Sequence, residues 1–94
     1  TTWGTEGTNQ GQFTEVTPGI DTDYSNDDVY VVDKEGANVQ KFSNNGKFIA
    51  KWGTKGGGDG QFYEPEDIAI NPKIGTVYVT DTGNSRIQIF DLNP

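Results

Sequence analysis

Apolar and polar residues alternate along this 94-residue chain in short runs, and no window shows the three-to-four spacing of a helix. Val29-Tyr30-Val31-Val32 and Val77-Tyr78-Val79-Thr80 are β-branched and aromatic, with turn-forming residues on both sides. Val39-Gln40-Lys41-Phe42 and Ile87-Gln88-Ile89-Phe90 have the same character. Asn44-Asn45-Gly46 predicts a tight hairpin, because Asn and Gly tolerate positive φ, and Lys47–Trp52 predicts the strand that follows. Ile20–Asp23 and Asp67–Asn71 supply two further short strands. Glycines at 56, 57, 58 and 60 would interrupt any helix there. The pattern predicts an all-β chain.

The pattern also repeats. At an offset of 49, Trp3–Phe13 matches Trp52–Phe62 at seven of eleven positions. With one residue dropped from the first unit the register continues at 48. Ile20 then meets Ile68, Val29-Tyr30-Val31 meets Val77-Tyr78-Val79, and Asp33, Gln40 and Phe42 meet Asp81, Gln88 and Phe90. Two blocks in the same order, with one indel in a loop, define a duplicated unit of about 47 residues. Four short antiparallel strands in that length are the size of one β-propeller blade.

Particular residues carry a family resemblance. Trp52-Gly53 leads through a loop to Gly60-Gln61-Phe62, then to Pro65–Ile70, and then to Val77-Tyr78-Val79-Thr80-Asp81-Thr82-Gly83-Asn84-Ser85-Arg86-Ile87-Gln88-Ile89-Phe90. This run resembles the NHL repeat over essentially the whole chain. Ser85 stands where that family usually has the histidine of its name, and the first unit replaces Asn84-Ser85-Arg86 with Gly36-Ala37-Asn38. The resemblance implies two four-stranded antiparallel propeller blades and a ring of six. Residues 5–52 form the expected first blade and residues 53–94 the second, which lacks an outer strand of its own. Residues 1–4 read as an outer-strand piece that completes the blade of a neighbouring molecule, with the Trp3 ring between blades. Three chains would supply six blades, so a homotrimer is expected. The start at Thr1, without methionine, leads to the expectation of an excised or engineered segment.

Composition sharpens this picture. Only 31% of the residues are apolar and there is no cysteine or histidine, so disulfides, thiolate metal sites and the usual zinc chemistries are absent. A domain of this size is marginal alone, and its remaining stabilisation is expected from other chains. Seven basic against fourteen acidic residues give a net charge of −7 and no cationic stripe, which excludes nucleic acid as a partner and disfavours anionic membranes. No run approaches the length of a membrane span. The compartment stays open.

The resemblance places the loops 33–38, 81–86, 5–17 and 54–65 on one rim around the ring's opening, where such propellers bind partners. Tyr63, Glu64, Asp81 and Arg86 are the expected binding rim of the second unit, with Glu15 and Asp33 as rough counterparts in the first. A peptide or carbohydrate is the expected ligand class. Asp81 and Arg86 admit a second reading, as a pair that caps the hairpin from across it. The acidic stretch Asp21–Asp28 fails as a calcium loop, since Asn26 stands where glycine is needed and Val32 where a bidentate glutamate belongs. Trp3 and Trp52, at equivalent positions, are expected to pack between blades. Some relatives are lyases of amidated-peptide biosynthesis that hold zinc with histidines, and this chain has none. Without His or Cys a nucleophile pair cannot be built either, so no enzyme, no cofactor and no metal are expected. The leading function is a structural or interaction scaffold. The alternative is a ligand-binding sensor propeller of extracellular receptor type.

Overall fold

The computed structural model describes residues 2, 4–14 and 16–92, with no side chains described at 16–18. Its strands follow in chain order: β1 (Thr5–Glu6), β2 (Gln12–Phe13), β3 (Val16–Asp23), β4 (Asp28–Asp33), β5 (Asn38–Phe42) and β6 (Phe48–Trp52). The second unit repeats the order as β7 (Thr54–Lys55), β8 (Gln61–Phe62), β9 (Pro65–Asn71), β10 (Thr76–Asp81) and β11 (Arg86–Asp91). A single 3-10 turn, Thr82–Asn84, joins the last two. Strands β3-β4-β5-β6 make one antiparallel sheet and β9-β10-β11 another. The all-β expectation holds. The inner strands are longer than the residue pattern predicts, and β3 shifts register between Val16 and Ile20. The pairs β1/β2 and β7/β8 are parallel and two residues long each, too short to leave a periodic signal.

The sheets pack through one face each. Tyr30, Val32 and Val39 of the first sheet share a single core cluster with Ile68, Val77 and Val79 of the second. Trp52 packs against it from the outer strand, edge-on to Tyr30 at 6.2 Å and to Phe90 at 6.0 Å. The inner strands nearly touch. A Cβ on Gly19 would lie 2.5 Å from the carbonyl oxygen of Glu66, so only glycine permits that approach. Two residues on, the Asp21 carboxylate accepts the Ile70 N–H at 2.7 Å and ties β3 to β9. Burial of the cluster, at about 25 cal/mol per Å² of apolar surface, is the main term holding the two sheets together.

The other face of the second sheet is open. Ile87 and Ile89 are 64% and 65% exposed there, and Ile20 is 56% exposed on the outward face of the first. The acidic stretch forms a tight turn in which Asp23 accepts the Ser25 N–H at 2.9 Å and the Ser25 hydroxyl at 2.6 Å. Thr1 and Trp3, on which the expected outer-strand piece at 1–4 rests, and Glu15 of the expected rim lie outside the described residues.

Candidate binding rim

Each unit holds its long loop by one set of hydrogen bonds. In the second, Gln88 of β11 accepts the Gly60 N–H at 3.0 Å and donates to the Gln61 carbonyl at 2.6 Å. Asp81 accepts the Tyr63 N–H at 2.7 Å. In the first, Gln40 accepts the Gly11 N–H at 3.0 Å and donates to the Gln12 carbonyl at 2.6 Å, while Asp33 accepts the Thr14 N–H at 2.8 Å. Strands β4 and β10 end in buried aspartates whose carboxylates satisfy loop N–H groups in part-buried bonds. The same need accounts for a fully buried glutamine in the middle of a strand.

Arg86 adds a second fastening. Its Nε donates to Asp81 at 2.7 Å, Nη1 to the Gly57 carbonyl at 3.0 Å, and Nη2 to the carbonyls of Gly58 and Gln61 at 2.7 and 2.9 Å. Asn84 and Gln88 also donate to Asp81, at 2.9 and 3.2 Å. Burial alone would raise the Asp81 pKa. Hydrogen bonds from Asn84, the Tyr63 N–H, Arg86 and Gln88 outweigh it, and the carboxyl is held below its ordinary 3.8. In the first unit Asn38 occupies the Arg86 position. There the Lys51 Nζ donates to the Thr8 carbonyl at 2.9 Å, the counterpart of the Gly57 carbonyl.

These positions divide the six expected rim residues. Asp81 and Asp33 are buried, at 0% and 1% exposure, with their carboxylates turned into the loops they hold. In this structure they are structural acceptors rather than surface ligands, because the loop N–H groups leave them no solvent-facing role. Arg86 is partly exposed, but its guanidinium is committed to three loop carbonyls and Asp81. The hairpin-capping reading of this pair matches the geometry.

Tyr63 and Glu64 stand at the surface. The Tyr63 backbone is pinned from both sides, since its N–H goes to Asp81 and its carbonyl takes the Gly83 N–H at 2.7 Å. Gly83 permits this, as a Cβ there would meet that carbonyl at 2.4 Å. The ring is thereby presented at fixed position, 43% exposed, with the Lys55 ammonium 5.3 Å from its centroid. Glu64 follows with a left-handed backbone, φ 52°. Together with Lys34, Glu35 and Ala37 of the β4–β5 turn they line an open hollow of about 100 Å³ between the two units. Lys34, Glu35 and Lys55 escape reading from the sequence, because no motif marks them. The shared rim of the loops 33–38 and 54–65 was the available signal. The hollow offers charged groups of both signs beside an aromatic ring.

The sequence profile of a family described as 6-bladed β-propeller matches residues 20–94. Human NHL repeat-containing protein 3 is 36% identical over 67 residues, covering 68% of this chain and 19% of that protein. Mouse peptidyl-glycine α-amidating monooxygenase is 39% identical over 56 residues, covering 55% of this chain and 6% of its own length. The B-box type zinc finger protein ncl-1 of Caenorhabditis elegans is 46% identical over 44 residues, covering 47% and 5%. The chain thus spans less than a fifth of each of these relatives. With its repeated antiparallel sheets and buried loop clamps, the chain belongs to the 6-bladed β-propeller family and is an NHL-type segment of that fold.

Proposed function

We propose that this chain is a non-enzymatic interaction scaffold, contributing two adjacent blades to a six-bladed ring that three copies close. One observation carries the reading. The two sheets pack by a single buried face each, while the opposite face of the second keeps Ile87 and Ile89 at 64% and 65% exposure. Contiguous apolar surface of that kind marks an interaction site. A second feature supports it: beside β11 an apolar hollow of about 450 Å³, lined by Tyr30, Trp52, Phe90 and Leu92, lies along a strand edge with no strand partner among the described residues. An unpaired edge favours further strand pairing. Light scattering on the 94-residue chain tests the proposal. A mass three times the 10.3 kDa chain is expected, and a monomer at micromolar concentration contradicts it.

A second reading, a ligand-binding sensor, is favoured by the rigidly held Tyr63 beside Lys55 and the rim hollow. A thermal-shift screen with short peptides and oligosaccharides tests it, because a ligand of the folded state raises apparent stability. A shift that disappears in Tyr63→Ala supports this reading, and no shift at millimolar ligand counts against it.

A further inference from the structure

The two loops are fastened by different side chains, and the first unit keeps acceptors that the second has satisfied. In the second unit Asn84 and Arg86 donate into the loop. The Asn84 Nδ2 reaches the Gly56 carbonyl at 2.9 Å, and the Arg86 guanidinium reaches the carbonyls of Gly57, Gly58 and Gln61. Gly36 and Asn38 stand at these positions in the first unit, and Asn38 pairs with Asp33 across the ladder as Arg86 pairs with Asp81. The counterpart carbonyls are those of Gly7, Thr8, Asn9 and Gln12. Gln40 serves Gln12 as Gln88 serves Gln61. Among the described residues only the Thr8 carbonyl gains a replacement donor, the Lys51 Nζ at 2.9 Å.

Beside Gly36 and Asn38 lies an open hollow of about 340 Å³, lined also by Thr8, Thr14, Lys51 and Lys55. Asn38 is 3% exposed, and its Oδ1 is buried with no hydrogen-bond partner among the described residues. A buried acceptor left without a donor is costly. The complement of this wall is a planar group with several N–H donors, which is what Arg86 supplies in the second unit. We infer that the first unit takes a guanidinium group from outside the chain, as on an arginyl side chain, into the hollow beside Asn38. The net charge of −7 favours a cation. Lys51 opposes it as a like charge, while the Lys55 ammonium is drawn over the Tyr63 ring, 5.3 Å from its centroid. An ammonium ligand would lack the planar fork and fit less well. The site lies within one chain, so it is independent of the self-assembly proposed above.

NMR titration of the 94-residue chain with N-acetyl-arginine amide and with methylguanidinium tests this. One site per chain is expected, with the Asn38 side-chain amide signals shifting at millimolar ligand. A response to the capped arginine alone supports a polypeptide source, and a response to methylguanidinium as well supports the group as sufficient by itself. The neutral isostere N-acetyl-citrulline amide should cause no shift. Asn38→Arg supplies the guanidinium from within, so it should keep the wild-type circular dichroism and weaken binding more than about tenfold. Lys51→Ala removes the like charge and should tighten binding, by up to about fivefold. If Asn38→Arg does not fold, the citrulline and Lys51→Ala measurements still decide. No shift with either guanidinium probe would overturn the inference. So would binding that survives Asn38→Arg, or binding weakened by Lys51→Ala, which is the signature of an anion. Binding abolished by Tyr63→Ala but not by Asn38→Arg would place the ligand in the Tyr63 hollow and overturn this site.

Discussion

The loops at 5–14 and 54–63 differ at several positions yet follow one course, and the difference between them is instructive. Both close through the same glutamine and the same buried aspartate, with distances that agree within 0.1 Å. They part at the third fastening. The second unit ties its loop with Arg86 from within the sheet, and the first uses Lys51 from the outermost strand. What repeats is what the blade needs in order to close its loop. What varies changes how firmly the loop is held and what it presents: a pinned Tyr63 in one unit, Thr14 in the other.

The largest effect should come from breaking the Asp81 cluster. Asp81→Ala leaves the Tyr63 N–H and the partly exposed Arg86 guanidinium without their buried acceptor, a loss of about 3 kcal/mol. Asp33→Ala should cost less by about 1 kcal/mol, because Asn38 stands where Arg86 adds a charge-assisted bond to Asp81. Urea denaturation decides, and equal losses would mean that Arg86 adds nothing to the comparison.

Next come the glutamines. Gln40→Ala and Gln88→Ala each remove one accepted and one donated loop bond, a loss of about 1–3 kcal/mol, and the two should be similar. A wide gap between them in the same denaturation would show that the units are not held alike.

Acid should expose the same contrast. The folded-state pKa of Asp81 is depressed below 3.8, so its contribution is present above that value and is lost as pH falls through the folded-state pKa. The stability gap between wild type and Asp81→Asn should therefore be full at neutral pH and narrow below pH 3.8. A gap constant down to strong acid would contradict the assignment. The smallest effect belongs to Lys51→Ala, whose exposed bond to the Thr8 carbonyl is worth no more than about 0.5 kcal/mol.

Much of this fold was legible in the sequence. Strand alternation in Val29–Val32 and Ile87–Phe90, together with the offset of 48, carries the all-β class and the duplicated unit. The two-residue strands were not legible, because each pair is two residues long and closed by backbone bonds such as Gly7 N–H to the Phe13 carbonyl, too short for any alternation to show. Of the residues expected at the rim, Tyr63 and Glu64 are exposed while Asp33 and Asp81 are buried. Asp33 and Asp81 are charged residues beside turns, which ordinarily signals solvent. Their recurrence in step with Gln40 and Gln88, glutamines in mid-strand, was the available clue, since a polar residue repeated in step with the core is a structural acceptor. Lys34, Glu35 and Lys55 reach the hollow only through the packing of one unit on the next, which strand patterning alone does not fix.

Sedimentation equilibrium of the 94-residue chain over a range of concentrations tests the central claim most directly. The proposed self-assembly predicts a trimer that forms reversibly, with a mass that falls on dilution. A single 10.3 kDa species at every concentration into the tens of micromolar, with the strand signature intact, would contradict it.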